Sequence, residues 1–220
     1  MAGVQRLAAL FLMMACVIAP QGVQKAEAAD APVKMVVLGD SLSAGYNLPG
    51  TDAFPAKLAK ALQAKGIPVA MTNAGVSGDT ASGGLGRVDW SIPPGTEAVI
   101  VELGANDMLR GIDPKVTRAA LDGILKKLKD RKIAVLLAGM YAAPNLGPDY
   151  VRDFNGIFPD LARTYDTVLY PFFLDGVASD AKLNLRDGIH PNAAGIDVIV
   201  ERIMPKVEEL LARVRTARGS

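Results

Sequence analysis

His190 is the only histidine among 220 residues, so any imidazole chemistry in this chain belongs to it. It lies in Asp187-Gly188-Ile189-His190-Pro191-Asn192, with an acid three positions ahead. Histidine is the side chain whose ordinary pKa lets it take and return a proton near neutral pH. A carboxylate at that separation, where a loop enters a helix, can reach Nδ1. It would fix the ring tautomer and stabilise the imidazolium formed when Nε2 takes a proton. Near the other end of the chain, Gly39-Asp40-Ser41-Leu42 follows the first apolar run. A turn there would present Ser41 Oγ above a sheet with its backbone N–H facing the cleft. A hydroxyl nucleophile with an acid–base pair is what acyl transfer through a covalent intermediate needs. The same counts exclude other chemistry, because one His and one Cys cannot build a His- or Cys-based zinc site.

Two further segments could stabilise charge. In Asn73-Ala74-Gly75-Val76-Ser77-Gly78-Asp79-Thr80 the glycines allow close backbone approach, and the Gly78 N–H could donate to a developing oxyanion. Asp79 or Thr80 could cap the helix that follows. In Glu102-Leu103-Gly104-Ala105-Asn106-Asp107 the Asn106 amide offers two donors and no charge, which suits a transient negative oxygen. Asn106 could equally close an Asx turn, and Asp107 is expected to brace its loop. Taken singly, each segment is as well explained as an ordinary loop; taken together they supply a nucleophile, two donors and an acid–base pair. A Gly-x-Ser-x-Gly elbow is absent. Ser77 comes nearest, but Asp79 stands where the final glycine would be.

These residues need a scaffold, and the apolar patterning describes one. Val33 to Leu38, Val69 to Thr72, Ala98 to Glu102, Ile133 to Ala138 and Thr167 to Tyr170 read as strands. Most are continuously apolar, as parallel strands covered on both faces are. Phe54 to Lys65 reads as a helix stopped at Gly66. Asp113 and Pro114 open another, with Val116, Ala120, Ile124 and Leu128 as its buried stripe. Tyr150, Phe154, Ile157, Phe158 and Leu161 form a third stripe. A last helix runs from about Pro191 to Val214, with Pro205 expected to kink it. This β-α-β rhythm predicts one α/β domain, a three-layer α/β/α sandwich on a five-stranded parallel sheet. In such sheets ligands bind beyond the carboxyl ends of the strands, where each polar segment above falls.

A formal net charge of +1 with charged residues at 21% gives no electrostatic reason to expect a nucleic-acid partner. Residues 1–28 differ in kind from the rest. Arg6, an apolar run from Leu7 to Ala19 and the small-residue stretch Ala26-Glu27-Ala28-Ala29 have the form of a secretory signal peptide. The run is short for a membrane span. Cleavage after Ala28 would leave a domain of residues 29–220 without cysteine, periplasmic or secreted, and without stable membrane insertion. An uncleaved anchor, or lipid attachment at Cys16, is the alternative.

The four polar segments, in this order, resemble the blocks of the GDSL or SGNH hydrolase family, named for catalytic Ser, Gly, Asn and His. The resemblance extends across essentially all of the chain after the leader. Asn106-Asp107-Met108-Leu109-Arg110-Gly111, Pro171-Phe172-Phe173 and the segment around His190 are most similar to its periplasmic multifunctional branch of esterases, thioesterases and lysophospholipases, which includes bacterial arylesterases. The resemblance implies a flavodoxin-like fold, Ser41 as nucleophile, and Asp187 with His190 as acid–base pair. It implies an oxyanion hole of the Ser41 and Gly78 backbone N–H groups and the Asn106 side chain. The substrate would be a small acyl ester, with no cofactor and no metal. Met108 and Leu109 after the third strand, and Tyr141, Pro144 and Leu146 after the fourth, either line an acyl cleft or anchor their loops. Two other functions use the same fold: a carbohydrate O-acetylesterase, which would favour short acyl groups, and a non-catalytic binding protein.

Overall fold

The computed structural model describes residues 31–219. The expected leader over residues 1–28, with Cys16, lies outside the described residues. Five strands form one parallel sheet: β1 (Val33–Gly39), β2 (Val69–Gly75), β3 (Ala98–Glu102), β4 (Ala134–Ala138) and β5 (Val168–Tyr170), in the order β2-β1-β3-β4-β5. The strand order reverses between β1 and β3, where the first crossovers run in opposite directions along the sheet. Such a switch point opens a crevice above the carboxyl ends of its two strands. Those ends are level. Gly39 pairs with both Gly75 and Glu102, Glu102 with Ala138, and Ala138 with Tyr170. Loops leaving this common row meet above it.

Helices cover both faces. α1 (Ser41–Ala44) is a single turn directly after β1, followed by α2 (Phe54–Ala64). α3 (Ala81–Ser91), α4 (Ala105–Leu109), α5 (Pro114–Asp130), α6 (Pro148–Tyr165) and α7 (Ala193–Gly219) complete the chain. α3, α5 and α6 pack side by side, and α2 packs with α7. The central strands β1, β3 and β4 are therefore apolar and buried on both sides, as their continuous Val, Leu, Ile and Ala runs require. β2, at the edge, is only half covered.

Three expectations are corrected. β2 does not stop at Thr72: the β1 backbone supplies a ladder for Asn73, Ala74 and Gly75, and the strand continues through them despite their turn-like composition. The stripe of α5 is rotated, leaving Val116 exposed and turning Thr117 inward, where its hydroxyl donates to Asp107 Oδ1 at 3.0 Å. That bond satisfies a buried hydroxyl that periodicity alone would place outside. The last helix runs past its expected end near Val214 to Gly219, with Pro205 inside it and Ile203, Met204, Val207 and Leu210 buried on either side.

Candidate active site

Ser41 opens α1. The Asp40 side chain caps this turn, Oδ1 accepting the Leu42 N–H at 2.9 Å. So short a turn can sit this close to the sheet only because two glycines leave room. A Cβ on Gly39 would lie 2.4 Å from Ser43 Oγ, and one on Gly75 would lie 2.5 Å from the Ala44 nitrogen. Ser41 is thus almost buried, with its Oγ at the floor of the crevice.

His190 reaches it from the far end of the chain. Nε2 is 2.9 Å from Ser41 Oγ, and Nδ1 is 2.8 Å from Asp187 Oδ2. The loop that carries the ring is pinned on both sides. Leu185 N–H donates to the His190 carbonyl at 2.7 Å, Asn192 N–H donates to the Leu183 carbonyl, and Asn192 Oδ1 caps α7 through Gly195 N–H. Asn184, buried beneath, donates to the Val177 and Asp180 carbonyls. Asp187 Oδ1 accepts the backbone N–H groups of Ile189 and His190, and these bonds hold its carboxyl down at about 2. It therefore stays ionised through the range in which an imidazole titrates.

The expected donors come from the neighbouring loops. Gly78 lies past β2 with φ +85°, a backbone conformation that favours glycine, and its carbonyl accepts from Arg110 Nη2 at 2.8 Å. Asn106 lies on α4, after a Gly104 turn with φ +115°. Its Nδ2 donates to Asp40 Oδ2 at 3.1 Å, across to the loop after β1. Asp107 braces the loop as expected, accepting Ala81 N–H and the Thr117 hydroxyl. Thr80, not Asp79, caps α3.

Several contributors lacked a local signal. Arg87 is buried between the loops after β1 and β2. It donates to the Gly39 and Ala74 carbonyls and pairs with Asp79 at 2.5 Å. A lone arginine within a glycine-rich helix was its only trace in the sequence. The Tyr46 ring lies on the His190 imidazole, with centroids 4.4 Å apart. Glu102, wholly buried at the end of β3, accepts from Ser43 Oγ at 2.7 Å. Burial, reinforced by the nearby Asp40 charge, lifts its carboxyl well above the usual range. Burial likewise lifts Asp40 to about 6, against the lowering effect of the Leu42 N–H and the Asn106 amide.

Beside the Ser41–His190 pair runs an apolar groove of about 670 Å³. Met108, Leu109 and Tyr141 lie on its wall, as does Pro144. Leu146 does not; it packs against the hydrophobic core, and so anchors its loop. Met140, Phe172, Leu174 and Ile189 complete the lining. They come from segments that the chain brings together only on folding. Among the described residues, no group of three His, Cys, Asp or Glu side chains could hold a metal ion. No described helix is long and apolar enough to cross a membrane.

The pattern of the GDSL-like lipase/acylhydrolase family matches residues 37–198. The chain is 39% identical to an arylesterase of Vibrio mimicus over 165 residues, which is 74% of this chain and 82% of that protein. It is 36% identical to thioesterase 1/protease 1/lysophospholipase L1 of Escherichia coli K12, over 85% of this chain and 88% of the relative. Among solved structures it is similar to AlinE4, an SGNH-hydrolase family esterase. The TM-score is 0.69 and the identity 46%, covering 82% of this chain and 97% of that one. The five-stranded parallel sheet with flanking helices is the SGNH-hydrolase fold.

Proposed function

The chain belongs to the GDSL-like lipase/acylhydrolase family and is a carboxylic ester hydrolase, and on that premise we propose that it cleaves acyl and aryl esters through a Ser41–His190–Asp187 triad. One observation carries the reading. A continuous run of 2.9 Å and 2.8 Å contacts links a hydroxyl, an imidazole and an ionised carboxylate at the mouth of an apolar groove.

Ser41 Oγ attacks the acyl carbonyl while Nε2 of His190 takes its proton. The carbonyl oxygen becomes an oxyanion, held by the Ser41 and Gly78 N–H groups and the Asn106 amide. As the C–O or C–S bond to the leaving group breaks, the imidazolium returns the proton to it. An acyl-Ser41 ester remains. Water, deprotonated by His190, attacks that ester through a second oxyanion, and the carboxylic acid leaves as Ser41 recovers its proton. Asp187 holds the ring tautomer and balances the imidazolium charge.

The groove favours substrates with an alkyl or aryl acyl group, since each buried CH₂ is worth about 0.8 kcal/mol. Thioesters and lysophospholipids fit the same chemistry, and the names of the relatives support them. The leader-like residues 1–28 support a periplasmic or secreted location for the domain that follows.

The test is steady-state kinetics of the protein on acetyl, butyryl and octanoyl chains, each with alcohol, aryl and thiol leaving groups. The reading expects kcat/KM to rise with chain length and to tolerate both oxygen and sulfur leaving groups. A preference for acetyl groups on a polar sugar would replace it with carbohydrate deacetylation.

A further inference from the structure

Asp40 sits between the nucleophile and an expected oxyanion donor, and both of its oxygens are engaged. Oδ1 accepts the Leu42 N–H at 2.9 Å, and Oδ2 accepts Asn106 Nδ2 at 3.1 Å. The residue is fully buried. We propose that Asp40 is a positioning residue for the oxyanion hole, orienting the Asn106 amide so that its second N–H faces the reacting carbonyl. The inference rests on the reading of Asn106 as an oxyanion donor.

Asn106 carries two N–H donors on one nitrogen and one acceptor oxygen, and rotation by half a turn about the Cβ–Cγ axis exchanges them. Facing a developing oxyanion, the rotated form would place oxygen against oxygen and lose the donor. An acceptor on the inner side of the amide selects the useful orientation. A carboxylate is acceptor-only when ionised, so Asp40 cannot reward the wrong one.

A carboxylate also does two jobs that a neutral side chain cannot. Asparagine at position 40 has one acceptor oxygen for two donors, the Leu42 N–H and the Asn106 amide. Its own NH₂ would have to face one of them. Serine can cap Leu42, as N-cap serines do, but is too short to hold Asn106 as well.

The surroundings place Asp40 ahead of Glu102 in losing its proton. Glu102, buried beside it, is bonded through only one oxygen; its Oε1 has no partner. Charge on Asp40 makes ionisation of the neighbouring buried Glu102 less favourable. Burial lifts Glu102 well above its usual range, whereas Asp40, with two donors of its own, rises to about 6. Asp40 therefore ionises before its neighbour, and its Oδ2 is the oxygen that accepts from Asn106.

A double-mutant cycle tests this, using Asp40→Asn, Asp40→Ser, Asn106→Ala and each combination in the full chain. KM and kcat are measured on one aryl ester, and folding is checked by thermal melting. Loss of one oxyanion donor costs roughly 10²–10³ in rate. Asp40→Ser is expected to lose a large part of that in kcat with KM nearly unchanged, and to lose nothing further once Asn106 is alanine. If the Asp40 variants cost the same factor with or without Asn106, Asp40 serves the nucleophile turn and the proposal is overturned. If Asn106→Ala leaves kcat intact, the oxyanion reading itself fails and the proposal with it. A measurement on the unmutated protein covers variants that do not fold. The Asn106 side-chain amide proton bonded to Asp40 should move in NMR shift as pH falls through about 6, more than its geminal partner does. Two amide protons whose shifts stay constant across that range would overturn the proposal.

Discussion

Asp187 grips both the backbone and the ring of His190: Oδ1 accepts the His190 N–H at 3.0 Å while Oδ2 meets Nδ1 of the same residue at 2.8 Å. Three residues of spacing are enough because Gly188, at φ +75°, folds the segment back on itself. The acid therefore sets the position of the loop and the tautomer of the ring together. Asp187→Asn would present an NH₂ to donors on one side and disturb both. We expect kcat to fall by about 10⁴, as loss of the triad carboxylate's orienting role costs in serine hydrolases. Kinetics that change in KM alone would remove Asp187 from the triad.

Ser41→Ala is expected to abolish turnover, on the order of 10⁶ in kcat, with the melting temperature nearly unchanged. The hydroxyl's partner is His190 Nε2, so no buried donor of the core is stranded by its removal. Ser77→Ala serves as the comparison and should be mild. The reverse result would move the nucleophile to the loop after β2.

Leu109 and Leu146 separate groove from core. Leu109 is 56% exposed on the groove wall, whereas Leu146 packs against the core. Leu109→Ala should lower kcat/KM for octanoyl esters several-fold more than for acetyl esters, since lost contact scales with buried CH₂ groups at about 0.8 kcal/mol each. Leu146→Ala should lower stability and affect all chain lengths alike. Assays of both variants on acetyl, butyryl and octanoyl esters would show the contrast; equal chain-length effects would contradict it.

Arg87→Ala should be among the more destabilising single changes, at about 3–5 kcal/mol, because it leaves Asp79 and the Gly39 and Ala74 carbonyls without their partner in a largely buried site. Urea unfolding would measure it. A cost below 1 kcal/mol would mean that water replaces the guanidinium.

Asp40 carries a pH signature. Its carboxyl rises from 3.8 to about 6 on folding, so between those values the folded chain keeps a proton that the unfolded chain has released. The resulting stabilisation is full below pH 3.8 and is lost as the pH rises through about 6. Asp40→Asn has no such proton. The stability of the unmutated protein relative to this variant should therefore be greater at pH 4 than at pH 7, as read from urea midpoints. A difference constant across that range would show that Asp40 does not titrate there.

Much of this protein was legible along the chain. Met35 to Leu38 and Ala98 to Val101 are apolar without alternation, as strands covered on both faces are, and their rhythm with the helices points to a parallel sheet. Asp187 and His190 could be paired on spacing alone, because three residues and a glycine leave few other places for the carboxylate to go. Val116 and Thr117 mark where this stops. Periodicity resolves a helix face to about one residue, and a hydroxyl turns inward only when a distant acceptor, here Asp107, waits for it.

What tertiary structure alone decided is the company each side chain keeps across long separations. Ser41 and His190 are 149 positions apart, and Asp40 and Asn106 are 66 apart. The level row of strand ends brings them within hydrogen-bond reach. The apolar groove is assembled in the same way, with Met140, Phe172 and Ile189 on three different loops while the half-buried Leu146 packs against the core instead. Local sequence records propensity and period, which act over a few residues. The burial that raises Asp40 and Glu102, and the geometry that aims the Asn106 amide, arise from packing between loops that share no sequence signal.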